Sequence, residues 1–145
     1  MVFVSSSSAE TIKLGKMLAS SFKGGEVVLA IGDLGAGKTA FCKGIALGLG
    51  IKQIVNSPTF NIMKVYSGKR LNLYHIDAYR LEDKDAITDI GFDESIGNKD
   101  GISYIEWPKF IESYYIKESN IITVKITSLS KNKRRIEIEE GIKYE

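Results

Sequence analysis

Residues 32–39, GDLGAGKT, leave few folds open to this chain, because they match the pattern G-x-x-x-x-G-K-[ST]. Glycines in this stretch allow positive φ angles, so that successive backbone N–H groups can turn inward on a polyanion. Lys38 adds a mobile positive charge, and the Thr39 hydroxyl suits a Mg²⁺ ion that bridges the outer phosphates. A helix starting here points the positive end of its dipole at the same place. The pattern predicts a phosphate-binding loop.

The flanks of the motif supply the strand and the helix that such a loop requires. The apolar run 27–31 has strand length and is typical of a strand buried on both faces. Residues 38–49 have helix length and precede Gly50, a suitable capping residue. The predicted nucleotide contacts in this region are Asp33, Gly35, Ala36, Gly37, Lys38, Thr39 and Ala40.

Length and charge exclude several classes of protein. A chain of 145 residues fits one domain, predicted over 1–145. Its 20 basic and 18 acidic residues give a net charge of +2, too small to predict nucleic-acid binding from bulk electrostatics. The single cysteine, Cys42, excludes an internal disulfide and is predicted to be a buried packing residue. No apolar run approaches the roughly 20 residues that span a bilayer. We expect a cytoplasmic protein without membrane contact.

Local patterns predict further helices. Ser7 and Glu10 have the spacing of a capping box, so a helix should begin here. Short helices are also predicted over 81–91 and 109–115. The face of the first helix that is predicted to pack on the sheet consists of Leu14, Met17, Leu18, Ser21 and Phe22.

The end of the chain has the period of a β-hairpin. Apolar residues alternate with polar ones over 121–129 and again over 135–140. The intervening tip is basic, and it is either a solvated loop or a contact surface for RNA or an acidic protein. Its basic residues are Lys131, Lys133, Arg134 and Arg135.

Two carboxylates are predicted at strand ends. Asp77 follows the strand 71–76, and Glu106 follows the strand 102–105. Ligands of open α/β sheets collect at the carboxyl ends of strands, where an Asp can hold Mg²⁺ or its water shell. Glu106 is placed to orient or deprotonate an attacking water. His75 lies on the same strand face as Asp77 and is predicted to support the site by hydrogen bonding.

Three other features leave alternatives open. The stretch 57–60, SPTF, is a turn stiffened by proline that carries the hydroxyls of Ser57 and Thr59. Such a segment can sense a γ-phosphate and its Mg²⁺, but the same residues also occur in ordinary loops. Trp107 is either a core or interface aromatic or a neighbour of the nucleotide or of a partner. Arg80 could reach a phosphate or pair with an acid.

Four segments in this order resemble the TsaE family, also called YjeE, of small bacterial P-loop ATPases required for threonylcarbamoyladenosine modification of tRNA. These segments are GDLGAGKT at 32–39, SPTF at 57–60, HIDAYRL at 75–81 and IEWP at 105–108. The last three are more specific than the glycine-rich motif, and the resemblance covers nearly the whole chain. The departures are Ala40, where a second Thr is common, and Ala78, where a larger residue is common.

The resemblance implies an α/β, P-loop NTPase-like three-layer fold around a central mixed parallel and antiparallel sheet, with the C-terminal hairpin. It also implies binding of ATP or ADP with Mg²⁺, and ATP hydrolysis that is weak in isolation. It implies docking on the TsaB–TsaD pair, where TsaD modifies the tRNA, so that this chain meets tRNA only indirectly.

The family's site residues carry over to matching positions of this chain. Lys38 and Glu106 would be catalytic, and Ser57 and Thr59 would form the switch. Trp107 would lie beside the nucleotide. The implied metal-binding residues are Thr39, Asp77 and Glu106.

Other functions are weighed against this one. A small-molecule P-loop kinase needs an acceptor pocket and usually an arginine-bearing lid, and the sequence has no clear lid segment. A GTPase switch normally carries Asn-Lys-x-Asp, and residues 98–100, NKD, lack the spacer, which favours ATP. A nucleotide-dependent assembly module with negligible catalysis stays open.

Overall fold

One mixed sheet organises the chain in the computed structural model, which describes residues 1–33, 35–58, 62–79 and 91–144. In chain order the elements are β1 (Val2–Ser5), α1 (Ser8–Ala19), β2 (Val27–Ile31), α2 (Lys38–Gly48), β3 (Met63–Tyr66), β4 (Asn72–Asp77), α3 (Phe92–Ser95), β5 (Gly101–Glu106), a 3₁₀ segment (Pro108–Tyr114), β6 (Ile121–Ser128) and β7 (Arg134–Glu140). None of the helices in these described ranges is long and apolar enough to cross a membrane.

The seven strands lie in the order β1-β7-β6-β2-β5-β4-β3. The four central strands, β6, β2, β5 and β4, are mutually parallel. The outer strands β3, β7 and β1 pair antiparallel with their neighbours, and β6 with β7 forms the predicted hairpin. The mixed α/β sheet that the family resemblance implies is confirmed. Its parallel centre brings the carboxyl ends of β2, β4, β5 and β6 to one edge.

The hydrophobic core lies on both faces of the sheet, as expected for the fully apolar strand β2, whose first four residues are buried. On one face α1 and α2 cover the sheet, and their apolar residues form a cluster with side chains of the strands. The other face carries a second cluster, built by α3, the 3₁₀ segment and the C-terminal residues 142 and 144.

Helix α1 packs chiefly on α2 through small residues, and this corrects the predicted contact face. Thr11, Gly15 and Ala19 are buried, whereas Met17 is 56% exposed. A Cβ at Gly15 would collide with a backbone carbonyl of α2, so the absence of a side chain allows the two helices to approach closely. The helical period is as predicted, but the buried face of α1 is the one with small residues, because the two helix backbones lie in close contact. Of the other predicted apolar residues, Phe22 belongs to the core cluster, and Leu14 and Leu18 are partly buried and pack against it.

Capping interactions set the helix ends where the sequence predicts them. The Ser7 Oγ accepts a hydrogen bond from the Glu10 N–H at 3.1 Å, although the Glu10 carboxylate accepts from Ser6, one residue earlier than in a standard capping box. At the end of α2, Gly50 has a φ of +80°, and the Ile51 N–H donates to the Ala46 carbonyl at 3.0 Å. This is a Schellman motif, in which glycine avoids backbone strain.

Two other helix predictions have different outcomes. The predicted helix 109–115 is a 3₁₀ segment, kinked at Ile111, where φ is −128°. Most of the predicted helix 81–91 lies outside the described residues.

Candidate phosphate-binding site

The glycine-rich loop, residues 32–37, joins the buried strand β2 to α2. Gly35 and Gly37 have φ angles of +78° and +112°, which strongly favour glycine. Gly32 is constrained differently, because a Cβ there would lie 2.6 Å from the Ile126 carbonyl oxygen of β6. Within the loop, the Ala36 N–H donates to the Asp33 carbonyl at 3.0 Å. The loop conformation therefore depends on these glycines.

Within the described residues, no side-chain hydrogen bond caps the first turn of α2. Gly37 is the N-cap residue and cannot offer a side-chain cap, and the turn carries no acidic residue. Lys38, Thr39 and Ala40 form this turn. Unsatisfied N–H groups and the positive dipole end at a helix N-terminus favour an anion.

Lys38 points toward the carboxyl end of β5. Its side chain is only 6% exposed, and its Nζ lies 3.8 Å from the Glu106 Oε1. The same Nζ lies 4.4 Å from the centroid of the Trp107 ring, a cation–π contact. The Tyr104 hydroxyl donates to the Lys38 carbonyl at 2.7 Å and secures the backbone. The predicted catalytic pair Lys38 and Glu106 therefore lies together.

Glu106 is held from its other side by His75. The Glu106 Oε2 lies 2.7 Å from the His75 Nε2, and the His75 Nδ1 lies 3.8 Å from the Cys42 Sγ. Both His75 and Cys42 are fully buried, as predicted for supporting and packing residues. Burial alone would lower the pKa of His75, but the Cys42 sulfur and the Glu106 carboxylate outweigh it and raise that pKa to about 10. The contact between the His75 Nε2 and the Glu106 Oε2 fixes the orientation of the carboxylate.

Asp77 ends β4 directly beside Glu106 in the parallel register. Its Oδ1 accepts a hydrogen bond from the Tyr79 N–H at 3.0 Å. Burial and the neighbouring Glu106 charge raise the pKa of Asp77, while the Tyr79 hydrogen bond and the charges of His75 and Lys38 oppose that rise. The two carboxylates predicted at strand ends are therefore neighbours.

Ser57 lies beside the first turn of α2. Its Oγ is 2.8 Å from the Thr39 Oγ1, so the two hydroxyls share one hydrogen bond. The predicted contact residue Thr59 and the undecided residue Arg80 lie outside the described residues. Of the predicted switch, the structure thus brings Ser57 to the site.

Trp107 has a backbone conformation that is rare for a residue other than glycine, with φ of +55° and ψ of +53°. This left-handed residue follows β5 and turns the chain into the 3₁₀ segment. Its ring packs on Tyr79, with centroids 5.0 Å apart, and faces the Lys38 ammonium. Trp107 is therefore part of the site and not only a core residue.

A cavity of about 730 Å³ opens beside the loop. Cavities that hold small molecules and cofactors have roughly this size. Its walls come from the loop, from Trp107 to Phe110, from the carboxyl end of β6 and from Tyr144. In the described ranges, no three His, Cys, Asp or Glu side chains cluster closely enough to hold a metal by themselves.

Sequence reasoning missed two residues, one beside the loop and one in the wall of the cavity. Arg134 bends back from the hairpin, and its Nη2 donates to the Gly35 carbonyl at 3.4 Å. Tyr144 lines the cavity and bonds to Tyr115 and Glu112 through its hydroxyl. Nothing in the sequence separates Arg134 from the basic residues around it, because only the hairpin geometry aims it at the loop.

The fold and the site define an α/β protein in which a loop of the phosphate-binding pattern joins a buried parallel strand to a helix. Residues 5–136 match the family profile described as threonylcarbamoyl adenosine biosynthesis protein TsaE. The chain belongs to the TsaE family.

Individual relatives agree with this assignment. A Bacillus subtilis protein named tRNA threonylcarbamoyladenosine biosynthesis protein TsaE is 47% identical over 116 residues, which cover 80% of this chain and 72% of that protein. A Treponema pallidum protein of the same name is 38% identical over 135 residues, covering 93% and 97% of the two chains. The crystal structure of Bacillus subtilis YdiB superposes with a TM-score of 0.79 at 33% identity, covering 99% of this chain and 86% of that one.

Proposed function

We propose that this protein binds ATP with Mg²⁺ at the glycine-rich loop, hydrolyses it slowly and thereby supports threonylcarbamoyladenosine modification of tRNA. The observation that carries the proposal is the row formed by Lys38, Glu106 and His75 next to the N-terminus of α2. It combines a cation for phosphate, a carboxylate for water and a buried group that orients the carboxylate.

ATP binding would use the backbone N–H groups of the loop and of the first α2 turn, together with the Lys38 ammonium. Asp33, Gly35, Ala36, Gly37 and Ala40 contribute through the backbone, and the cavity beside the loop offers room for the nucleoside. Trp107 would lie near the phosphates, since its ring is in contact with Lys38.

Glu106 would act on the attacking water. The Glu106 Oε2 contacts His75, and the Glu106 Oε1 faces Lys38. The carboxylate therefore has one oxygen directed at the place where phosphate is expected. Lys38 would compensate the charge that develops on the phosphoryl oxygens.

A Mg²⁺ ion would supply charge neutralisation between the outer phosphates. Hard oxygen ligands suit this ion, which usually needs only one or two carboxylates besides water and phosphate. Thr39, with Asp77 and Glu106, fits that requirement, and Ser57 holds the Thr39 hydroxyl. Ser57 and Thr59 would respond to the γ-phosphate as a switch.

The partners would be homologues of TsaB and TsaD, with tRNA contacted only through that complex in the cytoplasm. Family membership supports this part of the proposal, because the curated relatives carry the name of threonylcarbamoyladenosine biosynthesis proteins. Weak hydrolysis in isolation would fit a protein whose nucleotide cycle serves a complex.

Release of inorganic phosphate from ATP and GTP, with and without small-molecule acceptors, tests this function against its rivals. We expect slow release from ATP in Mg²⁺, little from GTP and no acceptor phosphorylation. Phosphorylated acceptor would indicate a kinase, and preference for GTP would indicate a GTPase switch. Tight ATP binding with no turnover, alone or with the TsaB–TsaD pair, would leave a nucleotide-dependent assembly module.

A further inference from the structure

Arg134 lies against the glycine-rich loop and reaches it from the hairpin formed by β6 and β7. It is the first residue of β7, and its Nη2 donates to the Gly35 carbonyl at 3.4 Å. Its Nε and Cγ lie 3.8 Å and 3.9 Å from the position that a Cβ at Gly37 would take. The guanidinium therefore contacts Gly35 and lies close to Gly37, from a strand about a hundred residues further along the chain.

Three backbone carbonyls of the hairpin tip hold Arg134 in this orientation. Its Nη1 donates to Ser130 at 2.8 Å, to Lys133 at 3.0 Å and to Lys131 at 3.3 Å. A planar guanidinium fixed on one edge presents its remaining donors in a defined direction. Among the described residues, no hydrogen bond uses the Nε–H, which is the atom nearest Gly37 after the Ile126 methyl group.

The charge of Arg134 is also not neutralised by a carboxylate within the described chain, in contrast to that of its neighbour. The Arg135 Nη2 forms an ion pair with the Glu137 Oε1 at 3.4 Å, and its side chain is half exposed. Arg135 thus pairs with a carboxylate on the sheet, whereas Arg134 directs its charge at the loop.

We propose that Arg134 is a nucleotide-binding residue that contacts the phosphate groups common to ATP and ADP. In loops of this pattern the backbone cradles the α- and β-phosphates, while the lysine reaches the β- and γ-phosphates. Arg134 contacts Gly35 within the loop and lies close to Gly37 at its end, whereas Lys38 faces Glu106. The phosphates of the nucleotide would therefore lie between two cations, Arg134 and Lys38, that contact different phosphate groups. This inference rests on the proposed binding of ATP.

Calorimetric titration with Mg·ATP and with Mg·ADP tests the inference on wild type, Arg134→Ala, Arg134→Lys and Arg135→Ala. Loss of a charge-assisted hydrogen bond should weaken both nucleotides roughly tenfold or more in Arg134→Ala. Both affinities should fall by the same factor, so the preference between ATP and ADP stays unchanged. Arg135→Ala, the matched loss of a neighbouring positive charge, should bind as wild type. Arg134→Lys should fall between wild type and Arg134→Ala, because it keeps the charge but loses the fork.

The role of Arg134 and its placement at the shared phosphates are contradicted by different results. Affinities in Arg134→Ala equal to those of wild type or of Arg135→Ala would refute the role of Arg134, and weakening of ATP alone would refute its placement at the shared phosphates. A thermal melt without nucleotide distinguishes a loss of fold stability from a loss of phosphate binding. If Arg134→Lys binds no better than Arg134→Ala and both melt earlier than Arg135→Ala, hairpin stability and not charge explains the loss, and the inference fails. Absence of nucleotide binding by wild type would remove the proposed function as well.

Discussion

The two sides of the glycine-rich loop are built differently. On the β5 side, Lys38, Glu106 and His75 are buried and pair with one another in a row. On the β6 side, Arg134 is partly exposed and is held by backbone carbonyls of the hairpin. Both sides supply a cation, but among the described residues only the cation on the β5 side is paired with a carboxylate, which a buried imidazole also contacts.

This difference indicates that the two sides of the loop suit different functions. A buried charge is costly unless it is paired, so each group on the β5 side depends on its neighbours for both stability and orientation. In the described residues, no buried side-chain nitrogen or oxygen lacks a hydrogen-bond partner. An exposed cation costs little to keep and can adjust to a ligand. The β5 side suits chemistry that requires fixed geometry, and the β6 side suits adaptable binding.

The largest expected effect is that of Glu106→Gln on hydrolysis. The amide is nearly isosteric but cannot accept a proton, so the rate of ATP hydrolysis should fall roughly 10²- to 10⁴-fold while ATP affinity stays within a few-fold. Single-turnover kinetics together with calorimetry measure the two quantities. Glu94→Gln on α3, an exposed position, is the matched control and should behave as wild type. Normal hydrolysis by Glu106→Gln would exclude it as the catalytic carboxylate.

A smaller effect is expected from His75→Leu, which removes the group that orients Glu106. Loss of such a supporting partner commonly lowers activity roughly ten- to a hundredfold, so the rate of hydrolysis should fall within that range. His75→Gln keeps a donor at a similar position and should recover part of the rate. If both variants hydrolyse ATP as wild type does, the row on the β5 side has no role in catalysis.

The smallest effect is expected from Ser57→Ala, which removes a neutral hydrogen bond from the Thr39 hydroxyl. We expect the Mg²⁺ concentration for half-maximal hydrolysis to rise roughly two- to tenfold. Ser67→Ala, at an exposed position, should leave it unchanged. An unchanged Mg²⁺ requirement in Ser57→Ala would argue against a metal beside Thr39.

The β5 side was largely predictable from the sequence because its signals are local. The apolar run 27–31, the glycine-rich loop and the helix after it follow from composition and period, and all three are observed. Asp77 and Glu106 were expected at strand ends, where a parallel sheet gathers ligands. Their direct pairing depends on which strands are neighbours, and sequence period alone does not contain that information.

The features that escaped prediction depend on contacts between distant residues. The close packing of α1 on α2 escaped prediction because Gly15 and its partners on α2 let two backbones approach, a contact that hydrophobic periodicity does not report. Arg134 and Arg135 are adjacent and chemically identical, and only the hairpin register sends one to the loop and the other to Glu137. The sequence allows more than one interpretation of Trp107, since its position follows from a left-handed backbone turn directly after β5.

The central claim, that Lys38 and the glycine-rich loop bind the phosphates of ATP, is tested most directly by titrating Mg·ATP while recording the emission of Trp107. This is the chain's single tryptophan, and the Lys38 ammonium lies 4.4 Å from its ring centroid. The account predicts a saturable change in emission for wild type and for Lys43→Ala, an exposed lysine on the same helix. For Lys38→Ala it predicts affinity lower by roughly a hundredfold, since a buried charge aimed at the phosphates is lost. Equal affinities for Lys38→Ala and wild type would contradict the account.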